Sequence, residues 1–421
     1  MTVQDYGFKY GSGKVHLSLD DALVDGVIHV ADCPPLADPE AELRRSFYAP
    51  IGGKPLDEIV RPGQTVAIIV NDATRIANTH VIVKVLLDEL NKLGVPDENM
   101  CFVFALGSHR PMSDEEMEHE LGAEAFRRVK SYNSDCTKDE DFKYFGTTTR
   151  GTPVWLHKRV VEADHIICTG SVLHHFFAGF GGGRKAVLPG VARKDTITAN
   201  HSHMPEPDAK IGKLDGNPVY EDQLEGVAMC PPSFLINVVL DASKRFLRVF
   251  SGHYIEAHKA ACDFVNQVYG AEIEREADIV IASCGGYPKD INIYQMQKTM
   301  DNAWCAVRQG GVVIMLAECR EGAGSQELED TMRREKTPEN IEKSLRANFV
   351  LGRHKAFAIS RLTKKAEFIL VSAMEPEYAR MMLFTPAASA EEALAMARAK
   401  LGQDARILLM PDGSYTVPRV K

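Results

Sequence analysis

What most constrains the fold of this chain is a repeated unit: a short apolar run, a polar or glycine-rich loop, then an amphipathic stretch. TVAIIV (65–70) runs into NDATR, and THVIVKVLLDELNKL (79–93) follows with apolar residues at helical spacing. MCFVFAL (100–106) runs into GSHRPMSDEE, where Ser113 and Glu116 have the spacing of a helix capping box. DHIIC (164–168) leads into a loop rich in Gly and His that lasts to residue 190. ADIVIAS (277–283) is followed by GGYPKDIN and a helical stretch over 294–307, then by apolar runs at 311–316, 368–371 and 406–410. Short apolar runs alternating with helical patterns predict α/β layers around parallel sheets. The expected architecture is two α/β domains with the active site in the cleft between them. A helical segment over 252–270 leads to a boundary near 265–275, giving domains 1–270 and 271–421. In open α/β sheets, ligands sit beyond the carboxyl ends of strands. Four unusual loops at such positions predict an enzyme.

Composition narrows the class further. The chain has 421 residues, 45% hydrophobic and 25% charged, with a net charge of −9 and no run of Lys and Arg. That excludes disordered and disulfide-framework proteins, and it argues against a nucleic-acid groove, which needs clustered cations. No signal-peptide pattern and no apolar stretch long enough to span a bilayer is present, so a cytoplasmic protein that does not enter membranes is expected. Nine scattered cysteines without CxxC spacing read as free thiols.

The chemistry concentrates in a few segments. In GFGGGRK (179–185) the glycines Gly181, Gly182 and Gly183 allow close backbone approach to an anion or flat cofactor, yet the segment matches neither a Walker loop nor GxGxxG. Lys185, flanked by apolar and glycine residues, is poorly solvated, which favours a neutral, nucleophilic amine. A Schiff base to pyridoxal phosphate and an amide-type link to another cofactor are both open to it. His109, His174, His175, His201 and His203 fall in or beside these loops, and imidazole serves as an acid/base or as a metal ligand. Arg75 and Arg110 can grip a carboxylate, Gln295 and Lys298 share one helix face, and Asp72 either orients a histidine or caps its own loop. A zinc-dependent hydrolase using His174, His175, His201 and His203 is the competing reading, and a nickel storage or maturation protein is a third.

NDATR (71–75), GSHR (107–110), HHFFAGFGGGRKAVLPG (174–190), His201 and YQMQK (294–298) resemble, in order and spacing, the nickel-dependent lactate racemase family. The resemblance covers nearly the whole chain. It implies an isomerase that racemises or epimerises a 2-hydroxy acid by reversible hydride transfer through a 2-keto acid. The implied cofactor is a pyridinium-derived nickel pincer nucleotide, linked to Lys185 as a thioamide and loaded with the help of maturation enzymes. By motif position His201 is the nickel ligand and His109 and His175 are the catalytic acid/bases. Arg75, Tyr294, Gln295 and Lys298 bind substrate, while Asp72 and Gly181–Gly183 lie by the cofactor. Lactate-specific members are expected to carry a tryptophan near 350–360, where this chain has LGRHKAFAIS; its tryptophans are Trp155 and Trp304. The substrate side chain therefore stays open.

Overall fold

A computed structural model describes residues 2–347 and 353–421. Leu351 and Gly352, the start of the segment expected to hold a tryptophan in lactate-specific relatives, lie outside the described residues. The chain divides into two compact units, Cys33–Val265 and Asn266–Lys421 together with Met1–Asp32.

In the unit Cys33–Val265 a six-stranded sheet runs in the order Phe246–Gly252, Phe234–Leu240, His165–Ser171, Val66–Asn71, Met100–Ala105, Lys130–Asn133. All neighbours are parallel except the pair Phe234–Leu240 and Phe246–Gly252. The central strand VAIIVN is covered on both faces, which is why it reads as an unbroken apolar run and not as alternation. Helix Thr79–Lys92 buries Ile82, Val83, Leu86 and Leu90 in the core that holds Ile68, Val70, Phe102 and Phe104. Truncating such a side chain, as in Ile68→Ala, costs about 2–5 kcal/mol. The sheet order fixes where a ligand can sit. From Val66–Asn71 the chain builds outward through Met100–Ala105 and Lys130–Asn133, then returns to lay His165–Ser171 on the other side of the first strand. The topological switch point lies between Val66–Asn71 and His165–Ser171, so the loops leaving their carboxyl ends frame a crevice.

The second unit has its own six-stranded sheet, wholly parallel, in the order Thr385–Ala387, Glu367–Val371, Val307–Leu316, Ala277–Ser283, Ile407–Met410, Val24–Val27. Its last strand comes from the start of the chain. The preceding hairpin, Val3–Tyr10 with Gly13–Asp20, lays Phe8, Leu17 and Leu19 on the same core as Ile279, Ile281, Val312 and Ile314. Arg406 donates to Asp25 at 2.5 and 2.8 Å, closing the edge. These contacts correct one expectation: residues 1–32 group with the C-terminal residues, so neither unit follows the simple 1–270 and 271–421 division. No local pattern in a sequence reveals that a strand at Val24–Val27 pairs with one at Ile407–Met410.

Both units are mixed α/β, as the alternation predicts. Strands expected at 65–70, 100–106 and 277–283 occur at Val66–Asn71, Met100–Ala105 and Ala277–Ser283. The expected helix over 294–307 ends earlier, at Trp304, and the strand expected to begin at 311 already starts at Val307. Among the described residues no helix is long and apolar enough to cross a membrane.

Candidate active site

The loop after Val66–Asn71 folds as an Asx-type turn. Asp72 is buried, and its Oδ1 accepts from Thr74 N at 3.1 Å and Thr74 Oγ1 at 2.7 Å. Its Oδ2 accepts from Nδ1 of His109, which arrives on the loop after Met100–Ala105. Burial pushes the Asp72 carboxyl up, but the bonds from His109 and Thr74 outweigh it and hold it below the usual range. Because the carboxylate can only accept, His109 Nδ1 carries the proton and Nε2 presents a lone pair. Both roles open to Asp72 from sequence, capping the loop and orienting a histidine, are thus realised together. Gly107, at φ 55°, makes the turn that sends Gly107 N to Gly190 O at 2.9 Å, tying the His109 loop to the glycine-rich segment. Arg75 is exposed, and among the described residues its guanidinium makes no hydrogen bond or ion pair with a side chain. Arg110 is different: it forms a bidentate pair with Glu116 at 2.6 and 2.8 Å, so the capping-box glutamate occupies this second candidate carboxylate anchor.

Across the switch point, His174–His175 pairs with Gly179–Phe180 in a tight hairpin. His175 stacks on Phe176, with ring centroids 5.2 Å apart, and meets the edge of Phe177 at 4.6 Å. Its Nδ1 accepts from Ala178 N at 3.3 Å, so in the neutral ring Nε2 carries the proton. Burial holds His175 well below an ordinary histidine, and the charges of Lys185, Arg75, His201 and Arg184 add to the effect. The strongest charged neighbours acting on it are all cationic groups. Lys185 has the same character: burial pushes its amine well below the usual lysine range, and Arg184 and Arg75 push it further. Its Nζ sits 5.6 Å from the centroid of the Phe177 ring, and the same ring packs against His201 with 5.1 Å between centroids. Phe177 is therefore an apolar neighbour of both the lysine and the histidine.

The glycines serve protein packing first. A Cβ on Gly183, at φ 55°, would meet the His258 ring at 2.4 Å, and one on Gly182 would meet Val172 at 2.8 Å. Gly181 has no such crowding; its carbonyl accepts from His258 Nε2 at 2.9 Å. Arg184 turns inward and is fully buried, donating to Phe180 O at 3.1 Å and Ala178 O at 2.8 Å.

The four-histidine zinc cluster does not form. His203 Nδ1 faces Glu206 Oε1 at 3.0 Å, His174 packs on Phe180 at 4.9 Å, and among the described residues no group of three or more His, Cys, Asp or Glu could hold a metal ion. A catalytic zinc needs three protein ligands, and this set does not supply them.

In the other unit, Tyr294, Gln295 and Lys298 lie at the start of helix Ile293–Trp304, which follows the strand Ala277–Ser283. Asn292 caps it by accepting from Gln295 N at 3.0 Å. Lys298 Nζ donates to Gln295 Oε1 at 3.2 Å, the shared face that their spacing predicts.

Sequence reasoning missed Thr74, His258 and Gln223. Thr74 was readable, since Asp-x-Thr is the local signature of the turn it makes. His258, on helix Glu256–Tyr269, and Gln223, on helix Pro218–Ala228, act through contacts far along the chain and carry no local signal.

Residues 10–212 match the family model of the lactate racemase N-terminal domain, and residues 273–417 that of the lactate racemase C-terminal domain. A lactate racemase from Thermoanaerobacterium thermosaccharolyticum is 31% identical over 98% of this chain and 98% of its own length. One from Lactiplantibacillus plantarum is 33% identical over 88% of this chain and 89% of its own length. The structure of the lactate racemase apoprotein from T. thermosaccharolyticum matches with a TM-score of 0.89 at 32% identity, covering 99% of this chain and 100% of that one. A crystal structure of a Thermotoga maritima protein shares the fold, with a TM-score of 0.66 at 18% identity over 94% of this chain and 100% of that one. Fold and relatives together define an enzyme of the isomerase class, a racemase. The chain belongs to the lactate racemase family.

Proposed function

We propose that this protein inverts C2 of a 2-hydroxy acid, lactate or a larger relative, using a nickel pincer nucleotide tethered to Lys185 with His201 as the protein's nickel ligand. One observation carries the reading: two imidazoles with opposite resting tautomers flank the switch point, His109 with its Nε2 lone pair presented and His175 with its Nε2 proton. A racemase needs two acid/bases because proton removal and return serve opposite enantiomers.

The residues present fit the group. A thioamide tether needs an uncharged amine, and the burial and cationic neighbours of Lys185 favour one. The field of Arg75 and Arg184 around His175 suits an anionic nucleotide and an anionic substrate. The lack of a three-ligand protein set among the described residues fits a metal that arrives with its own donors and takes one more from the protein. When bound, the group supplies a reversible acceptor for the substrate's α-hydride.

The chain's own residues do the rest. Arg75 holds the substrate carboxylate through its planar fork. His109 Nε2 takes the hydroxyl proton, and Asp72 stabilises the imidazolium that results. His175 Nε2–H donates to the same oxygen as it becomes a carbonyl. For the other enantiomer the roles exchange: once the 3.3 Å contact from Ala178 N has opened and the ring proton has moved to Nδ1, His175 Nε2 takes the hydroxyl proton and His109 returns one. Tyr294, Gln295 and Lys298 are the further substrate-binding residues in this reading, Lys298 countering negative charge on the substrate. Aromatic rings of Phe176 and Phe177 around His175 keep water away from it.

The test is the mass of the Lys185 peptide from protein produced beside the maturation enzymes, with nickel measured on the same sample. An adduct on Lys185 with about one nickel per chain, and chiral inversion of a 2-hydroxy acid, is the expected result. Racemisation by protein whose Lys185 is unmodified would overturn the tether.

A further inference from the structure

The unit Cys33–Val265 contains a cation and an anion that are both wholly buried and never touch. Arg184 and Asp222 are inaccessible to solvent, and so are Gln223 and Asn200 between them. Arg184 Nε donates to Gln223 Oε1 at 3.1 Å, Gln223 Nε2 donates to Asn200 Oδ1 at 3.0 Å, and Asn200 Nδ2 donates to Asp222 Oδ2 at 2.7 Å. Every donor points the same way, from guanidinium to carboxylate. The far end is closed by Thr148 Oγ1 and Thr152 Oγ1, which donate to Asp222 at 2.5 and 2.8 Å. The near end is closed by the carbonyls of Phe180 and Ala178 and by the Tyr220 ring, 4.5 Å beneath the guanidinium. A buried charge persists only where its field is answered, and two aligned amides answer it by carrying the dipole from one ion to the other.

The chain positions of the relay give it a purpose. Lys185 is the residue after Arg184, and His201 is the residue after Asn200. One segment is a short 3-10 turn, the other the end of helix Lys194–His201, and Gln223 of helix Pro218–Ala228 bonds to both. We propose that the Arg184–Gln223–Asn200–Asp222 relay fixes the Lys185 amine and the His201 imidazole relative to each other, with Gln223 as the central positioning residue. This rests on the reading of Lys185 and His201 given above. Neither amide is within reach of the reacting atoms through its own bonds; each acts on the backbone beside a functional side chain, as groups behind a metal ligand commonly do.

The test is made on the cofactor-free protein, so that it does not depend on nickel loading. Lys185 is acetylated with acetic anhydride and His201 carbethoxylated with diethyl pyrocarbonate, with rates read peptide by peptide by mass spectrometry. Gln223→Leu keeps the volume and removes both links; both rates shift at least about fivefold, while that of His109 stays at its wild-type value. Gln223→Glu keeps an acceptor for Arg184 but loses the donor to Asn200, so the His201 rate shifts and the Lys185 rate does not. A side chain with only a general stabilising role would not separate the two. In the Gln223→Leu/Asn200→Leu double variant the shift is no larger than in the more affected single variant, since a relay broken once is broken. In loaded protein, Gln223→Leu loses nickel about 10–100-fold faster than wild type. Labelling rates within about twofold of wild type in Gln223→Leu, equal effects on both sites in Gln223→Glu, or multiplying effects in the double variant each overturn the relay. Failure of the cofactor reading shows separately, as a wild-type Lys185 peptide without an adduct.

Discussion

Replacing Asp72 by asparagine exchanges one oxygen for an NH2 group, and the surroundings dictate which one. Thr74 N and Thr74 Oγ1 both donate to Oδ1, at 3.1 and 2.7 Å, so the amide oxygen must stay there. The NH2 group then takes the place of Oδ2 and faces His109 Nδ1, which at present donates to it. Two donors cannot share that line, so His109 must move its proton to Nε2 and lose the lone pair with which, in the proposed mechanism, it takes the substrate proton. The lost charge-assisted bond alone is worth about 1.5–3 kcal/mol, or roughly 10–150-fold in rate at about 1.4 kcal/mol per decade. The tautomer lock adds to this; the same carboxylate-to-amide exchange beside the histidine of a serine protease costs about 10⁴-fold. kcat/KM for inversion, followed by chiral chromatography, is expected to fall by between about 10² and 10⁴, with nickel content measured alongside so that loss of cofactor is seen separately. Asp72→Ala provides the decisive contrast. It removes the acceptor without supplying a donor, leaves the ring free to choose its tautomer, and is expected to be the milder change. An asparagine variant within about threefold of wild type, or an alanine variant worse than the asparagine one, would refute the tautomer argument.

Three further outcomes are expected. Lys185→Ala gives protein without adduct and without racemisation, read by intact mass and chiral assay; an active, cofactor-free variant contradicts the tether. Arg75→Lys raises KM about tenfold or more, because an ammonium cannot reproduce the guanidinium fork, and an unchanged KM rules Arg75 out as the carboxylate anchor. Burial and the Arg184 charge push His258 down to about 3, so the unfolded chain takes up a proton near the ordinary histidine value while the native state does not. The stability this histidine confers is complete above about pH 6.5 and is lost as pH falls towards about 3, at roughly 1.4 kcal/mol per pH unit. His258→Gln keeps a donor for Gly181 O, and its urea stability measured from pH 4 to 7 should show a correspondingly shallower slope; equal slopes would count against a buried neutral ring.

How much was legible from sequence depended on whether the signal was local. The runs at Val66–Asn71 and Ala277–Ser283 announce themselves because strands buried on both faces are apolar at nearly every position. Phe234–Leu240 is buried at all its positions too, and its largely apolar run FLINVVL carries the same signal. The capping box at Ser113 and Glu116 was readable, whereas its consequence, that Glu116 would occupy Arg110, needed the side chains in place. The low solvation of Lys185 followed from its flanking residues, but the cations that reinforce it include Arg75, which is distant along the chain. The glycines of 181–183 looked like room for a ligand; at 182 and 183 the space is taken by Val172 and His258. Histidines counted along a sequence made a metal cluster that the fold does not assemble.

The strand Val24–Val27 has a consequence for how the protein comes into being. Its sheet partner is Ile407–Met410, roughly 380 residues later, so a nascent chain emerging from the ribosome holds this strand without its mate until almost everything else has been made. Residues 33–265 contain all six strands of their own sheet and can collapse during that interval. The other sheet is finished last, by a segment that has waited longest. Until it docks, Ile407–Met410 is a bare edge with an unsatisfied ladder, which is the state in which strands recruit the wrong neighbour. Removing the first 32 residues would make that transient condition permanent, and aggregation of the truncated chain, more than loss of any catalytic group, is the failure it should display.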